Sequence, residues 1–437
     1  MKNFFLLILI FAVSEQSVGQ FSQKERDSIY QLSVQDHNLM MDKLNIEKLR
    51  SGPSGNPSDP NAANTNESLV EKNLELPDPL IFNNGVEVTN EEEWLRRRNE
   101  ILDDFNQEVY GQIPGNIPAV TWRTISEKDS VISNHPVIVK EMMGEVDNSI
   151  FPEIEVNIDM TVILPKNVEG EVPLILNFDW IWPSREKSTK SWEEELLNKK
   201  WGYASLIPTS YQADNGAGLR KGIIGLVNKG KPRQKNDWGA LRAWAWGASR
   251  AMDYFVKSEK IDEERVAIQG LSRYGKAALV TLAYDQRFTI GFIGSSGAGG
   301  AKLLRRNFGE QIENLASASE YHWFAPNFIK YAGPLTVKDL PVDAHELIAL
   351  VAPRPVFIST GNPSVEGGWV DARGMFLGAL YAEPVYRLLG HEGMGVYKNP
   401  GVGKYLGEGD IGFRSHEKGH TVEPNWSYFI QFAEKYF

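Results

Sequence analysis

One stretch constrains the fold of this chain more than any other. Arg265-Val-Ala-Ile-Gln-Gly-Leu-Ser-Arg-Tyr-Gly-Lys276 runs from an apolar strand through a Gly-x-Ser turn straight into a helical segment, Ala277–Tyr284. A strand that turns so sharply into a helix belongs to an α/β architecture with a mainly parallel sheet. At the carboxyl edge of such a sheet the turn lifts its serine hydroxyl beside a helix N-terminus, whose free amides can bind an oxyanion. The spacing departs from Gly-x-Ser-x-Gly, because the second glycine is Gly275, one place late. The plainer alternative is a strand-to-helix turn whose serine caps the helix.

The rest of the chain fits around that unit. Strands are predicted at 120–125, 137–143, 154–164, 172–178, 204–207, 265–269, 289–293 and 355–359. Helices lie among the later ones, the longest predicted from Trp238 to about Val256. Short apolar runs alternating with helices mean βα units, here a central sheet flanked by helices in three layers. Another helix is expected from Thr89 to about Tyr110, opened by Thr or Asn and three glutamates. The catalytic domain is placed at 76–437. Before it, 21–75 forms an N-terminal extension, helical over 21–50 and then a Pro/Gly/Asn-rich loop over Ser51–Asn66. Residues 1–20 read as an export signal, with Lys2, an apolar run Phe4 to Val13, and cleavage after Gly19 or Gln20. The expected location is secreted or periplasmic.

Composition excludes several classes. There is no cysteine, hence no thiolate metal site, cysteine nucleophile or disulfide, and the net charge of −11 argues against a nucleic-acid partner. No metal or organic cofactor is implied, membrane insertion is not expected, and the chain is expected to act as a monomer.

If Ser272 is a nucleophile, it needs a base and an acid, which follow it in the order Ser, acid, His. Of the seven histidines, His37 and His135 precede Ser272, and His322 and His345 fall before the strand 355–359. His391, His416 and His420 remain. The run Gly409 to His416 reads as the last strand, so His420 in the loop after it is preferred over His416, with Gly419 letting the backbone turn. No carboxylate follows the strand at 289–293, where the sequence is Gly294-Ser-Ser-Gly-Ala-Gly-Gly300. The strand ending at Thr360 is followed by Glu366 and Asp371, and either can orient the imidazole. Glu366 is nearer the strand end, whereas Asp371 can instead cap the helix starting near Gly374.

With these residues in hand, Gly270-Leu-Ser-Arg-Tyr-Gly-Lys276 is similar to the Gly-Cys-Ser-Arg-x-Gly-Lys motif of the glucuronoyl esterases, carbohydrate esterase family 15. Trp244-Ala-Trp-Gly-Ala-Ser-Arg250, Ser296-Gly-Ala-Gly-Gly300, Glu320-Tyr-His-Trp-Phe324, Leu340-Pro-Val-Asp-Ala-His-Glu346 and Ala352-Pro-Arg-Pro355 also resemble that family, from about Leu76 onward. The segment Ser51–Asn66 looks like the extension of bacterial members. Two positions depart: Leu271 stands where the family's elbow cysteine would be, and Ser295 where many members carry the acid.

The resemblance implies an α/β-hydrolase fold and a serine esterase cleaving 4-O-methyl-glucuronoyl esters between xylan and lignin alcohols. The expected substrate is a glucuronoxylan or lignin-carbohydrate ester. It brings the acid back to the loop after Thr360, and so to Glu366. Ser272, His420, Glu366 and Arg273 are the expected catalytic groups, Arg273 supporting the oxyanion. Lys276, Glu320, Trp323 and Trp369 are expected to hold the sugar, with Asp179, Trp180 and Trp182 at the rim. An acetyl-xylan or other carbohydrate esterase is the alternative, and a non-catalytic glycan-binding protein of the same fold a second.

Overall fold

The computed structural model describes residues 22–180 and 191–437. The export signal expected at 1–20, and Trp182, lie outside them. Among the described residues ten strands form one sheet: β1 Val120–Ile132, β2 His135–Val146, β3 Asn157–Pro165, β4 Val172–Phe178, β5 Gly202–Leu206, β6 Ile261–Leu271, β7 Ile290–Gly294, β8 Val356–Thr360, β9 Tyr405–Leu406 and β10 Ile411–Ser415. Their order is β1-β2-β3-β5-β4-β6-β7-β8-β10-β9. The run from β5 to β10 is parallel; β1, β2, β3 and β9 pair antiparallel.

The parallel strands are buried along almost their whole length, which is why they read as unbroken apolar runs. Their pleat divides them between two cores. Leu174, Leu176, Val266, Ile268, Ile293, Val356 and Ile358 face a large cluster shared with the helices Ala240–Phe255, Arg273–Tyr284 and Ala372–Leu388. Ile175, Ala267, Phe292 and Phe357 face a smaller cluster under Trp192, Trp426, Phe429 and Phe432. That alternation builds the helix–sheet–helix sandwich expected from the sequence.

The antiparallel edge differs from expectation in extent. β1 continues past Ile125 through Ser126-Glu-Lys-Asp to Ile132, and a two-residue turn, Ser133-Asn134, with φ +46° and +65°, joins it to β2. An edge hairpin needs only one apolar face, so its charged half escapes a search for apolar runs. The N-terminal helix is Gln23–Leu44, shorter than expected at its C-terminal end, and is opened by a capping box between Ser22 and Glu25. Met40 and Ile46 enter the main core, so this N-terminal segment packs against the rest of the chain.

Candidate active site

β6 ends at Leu271 and the helix begins at Arg273, leaving Ser272 alone at the turn with φ +86° and ψ −118°. A non-glycine residue held there is strained and persists only where its surroundings over-determine it. Two glycines do so. A Cβ on Gly270 would lie 2.1 Å from the Tyr274 carbonyl oxygen, and one on Gly275 2.5 Å from that of Gly294. The late second glycine is thus the contact between the helix and the end of β7. Ser272 N–H donates to the Gly294 carbonyl at 2.9 Å, which ties the elbow to that strand. The N–H of Arg273, at the first helical position, has no acceptor within the helix and is available to an oxyanion.

The loop after β10 separates the two candidate histidines. His416 is buried, with Nε2 donating to the Thr421 carbonyl at 2.7 Å and Nδ1 accepting from Lys418 N–H at 3.0 Å; it braces the loop. His420 Nδ1 lies 2.7 Å from Glu366 Oε1, its side chain 44% exposed against 2% for Glu366. The second Glu366 oxygen accepts from Gly361 N–H at 2.7 Å. A proton on Nδ1, required for this bond, leaves Nε2 as the basic nitrogen. Gly419, expected to let the backbone turn, does so without a positive φ. The close approach is instead at Gly361, where a Cβ would meet the Gly419 carbonyl oxygen at 2.5 Å. Thr421 and Val422, the two residues after His420, line a cavity of about 140 Å³ with Leu271, next to Ser272. The loop that carries His420 therefore runs beside the elbow.

Ser295, where an acid would stand after β7, is 3% exposed with φ +40°, and its Oγ makes no hydrogen bond among the described residues. Asp371 is buried away from the histidine. It caps the helix Ala372–Leu388, accepting from Gly374 N–H at 2.8 Å, and pairs with Arg306 Nε at 2.8 Å. Asp371→Ala is expected to cost about 3 kcal/mol, because it strips a buried guanidinium as well as a cap. Urea denaturation measures this, and a loss under about 1 kcal/mol would mean the cap alone matters.

Arg273 is held by a residue that sequence reasoning missed. Its Nη1 donates to Asp214 Oδ2 at 2.5 Å, and its guanidinium lies 5.5 Å from the Trp180 ring centroid and 5.3 Å from that of Trp323. Asp214 Oδ1 accepts from Trp323 Nε1 at 2.7 Å and His322 Nε2 at 3.0 Å. Burial alone would raise the Asp214 pKa. The hydrogen bonds from His322 and Trp323 and the charge of Arg273 outweigh it and hold the carboxyl well below the usual range. The sole sequence hint was a turn, Gln212-Ala-Asp-Asn-Gly216, shortly after β5.

The predicted sugar-binding residues converge beside this pair. Lys276 is 5% exposed, and Nζ donates to the Ser296 carbonyl at 2.8 Å and to Glu310 Oε2 at 3.4 Å, leaving one of its three protons. It lies 5.4 Å from the Trp323 ring centroid. Glu310, also missed, accepts from Trp369 Nε1 at 3.2 Å through its other oxygen. Burial, then repulsion from Glu310, pushes the Glu320 carboxyl up to about 7 against the pull of Lys276 and Arg273. Glu320 Oε2 has no partner among the described residues. Together they form a polar wall with spare donors and acceptors. At the rim, Asp179 is buried, accepting from Trp180 N–H at 2.9 Å, and Trp180 is 36% exposed with its ring 4.3 Å from that of Tyr274.

Among the described residues no cluster of three or more His, Asp or Glu could hold a metal, and no helix is long and apolar enough to cross a membrane. The arrangement can carry out acyl transfer: a strained serine, an imidazole set by a buried carboxylate, and a cation beside the serine.

Comparison with known proteins points the same way. The family model described as glucuronyl esterase, fungi, matches residues 232–390. A carbohydrate esterase from an unknown prokaryotic organism is 31% identical over 86% of this chain and 92% of its own. A 4-O-methyl-glucuronoyl methylesterase of Hypocrea jecorina is 26% identical over 79% of this chain and 67% of its own. The solved structure of a glucuronoyl esterase of carbohydrate esterase family 15 from Teredinibacter turnerae superposes with a TM-score of 0.87 at 43% identity, covering 92% of this chain and 99% of that one.

Proposed function

Because the chain belongs to carbohydrate esterase family 15, the glucuronoyl esterases, we infer that it hydrolyses 4-O-methyl-glucuronoyl esters through an acyl-enzyme on Ser272. The observation that carries the site assignment is the 2.7 Å bond between His420 Nδ1 and Glu366, which leaves Nε2 to act as base. Ser272 Oγ attacks the glucuronoyl carbonyl carbon as Nε2 takes its proton. The negative oxygen so formed is stabilised by the Arg273 guanidinium and the amides opening the helix. The C–O bond to the alcohol then breaks, with His420 returning the proton to the departing oxygen. Water, deprotonated by the same nitrogen, attacks the acyl-enzyme and frees the uronic acid and Ser272.

Lys276, Glu310, Glu320, Trp323 and Trp369 receive the sugar, their donors and acceptors matched to ring hydroxyls. The acid is Glu366, and Asp214 aims Arg273. The natural substrate is read as a glucuronoxylan ester of a lignin alcohol, handled by a monomer outside the cytoplasm after removal of 1–20. The segment 21–75 is read as an extension of the catalytic domain.

The test is a comparison of benzyl glucuronate with acetylated xylan and nitrophenyl acetate. A bare acetyl group leaves the polar wall unpaired, so the glucuronoyl ester is expected to have a kcat/KM about a hundredfold higher or more. Equal or better turnover of acetyl esters would make the chain an acetyl-xylan type of esterase. Binding of glucurono-oligosaccharides without any turnover would make it a glycan-binding protein.

A further inference from the structure

The tract 53–71 contains little regular structure, only the single turn Glu67–Leu69 and an isolated bridge between Ser54 and Ala62. It is nonetheless stitched to both segments that build the polar wall. Toward Glu310, Asn64 Nδ2 donates to the Asn307 carbonyl at 2.8 Å, Gly309 N–H donates to the Asn64 carbonyl at 2.8 Å, and Glu71 N–H donates to Asn307 Oδ1 at 2.9 Å. Toward the loop bearing Glu366 and Trp369, the Glu67 carboxylate bridges two arginines, Arg306 Nη2 at 2.5 Å and Arg373 Nη1 at 3.2 Å. Arg306 passes the connection on through its Nε to Asp371 at 2.8 Å.

Glycines let these segments approach closely as well. A Cβ on Gly368 would lie 2.6 Å from Thr65 Cγ2, one on Gly309 2.4 Å from the Trp369 carbonyl oxygen, and one on Gly55 3.6 Å from the Trp369 ring. The loop held this way contains Gly367 and Gly368 in succession, with φ +91° at Gly367, so its own sequence does little to order it. The outer Glu67–Arg373 pair is exposed and contributes little by itself. The Arg306 side chain is only 4% exposed, between Asp371 at 0% and Glu67 at 41%, so the bond from Glu67 to Arg306 is the one that counts.

We propose that the 53–71 strap is part of the catalytic apparatus, with Glu67 as a positioning residue that clamps the Glu366–Trp369 loop through Arg306 and Asp371. This rests on the reading of Glu366 as the acid. A triad carboxylate must be held within a fraction of an ångström, and small misplacement far from the reacting atoms lowers turnover.

The test uses the full chain carrying Glu67→Ala, Glu67→Gln or Glu67→Asp, assayed on benzyl glucuronate well below each variant's Tm, with amide hydrogen exchange followed over 361–371. Glu67→Gln keeps the size but sets an amide NH2 against one of the two arginine donors and removes the charge. It is therefore expected to lower kcat as Glu67→Ala does, and covers the case in which the alanine variant folds poorly. We expect Glu67→Ala to lower kcat about tenfold, with faster exchange in 361–371 and partial recovery in Glu67→Asp. In an enzyme already carrying Glu366→Ala, it removes nothing further from kcat. Glu75→Gln, at a carboxylate outside the strap that faces Lys338, leaves activity unchanged. Folded Glu67→Ala within about twofold of the parent kcat, or losses that multiply with those of Glu366→Ala, would overturn the proposal. Unchanged exchange over 361–371 with Glu366→Ala inactive overturns the strap alone. A fully active Glu366→Ala enzyme overturns the acid assignment on which the proposal rests.

Discussion

Ser272→Ala is expected to remove about 10⁶-fold from kcat on a glucuronoyl ester, the scale on which loss of a serine nucleophile acts. The fold should not change. Ser272 makes its structural bonds through the backbone, its N–H to Gly294 and its carbonyl to Lys276 N–H, both at 2.9 Å, and alanine keeps both. Alanine also carries the same Cβ into the φ of +86°, so the strain of the elbow is unaltered. Steady-state turnover with circular dichroism and thermal melting on the same preparation makes the measurement. A folded variant retaining more than a few per cent of activity would remove Ser272 from the nucleophile's role.

The second large effect is at Glu366, where glutamine is the more informative replacement. Its amide fills the same buried space but cannot carry the negative charge that favours a proton on His420 Nδ1 and stabilises the imidazolium formed during attack. Both Glu366 oxygens are engaged, one by His420 and one by Gly361 N–H, so the amide nitrogen must oppose a donor at one of them. A loss in kcat of about 10⁴-fold is expected for Glu366→Gln and for Glu366→Ala, with substrate binding changed far less. Ser295 cannot take over, because a serine brings no negative charge to the imidazolium. Rates within about tenfold of the parent would mean that the imidazole is set by something other than this carboxylate.

The residues that the sequence singles out and those it does not differ in how far along the chain their partners lie. Ser272 was readable because strand, turn and helix are consecutive, and Gly270 and Gly275 mark the same turn. His420 and Glu366 were readable from the order of elements, since each follows the end of a parallel strand. Asp214 and Glu310 carry no such mark. Asp214 matters because it meets Arg273, 59 residues on, and Glu310 because it meets Trp369, likewise 59 residues on. No local pattern encodes those meetings. The charged half of β1 was hidden for a related reason: its order comes from pairing with β2, not from an apolar run of its own.

The sequence by itself determined the layered α/β fold, the turn that carries Ser272 and the loops that carry His420 and Glu366. Those depend on hydrophobic periodicity and backbone restrictions acting over a few residues. Tertiary structure alone decided that His416 braces while His420 points to the carboxylate, and that Asp371 serves Arg306 and a helix end. It also decided that Lys276 is buried against Glu310, and that the polar tract 53–71 is tied to the loop bearing Glu366 and Trp369. In each case the choice was made by which buried charge or donor needed a partner once distant segments had packed. An unpartnered buried polar group costs more than the chain entropy saved by leaving the loop free.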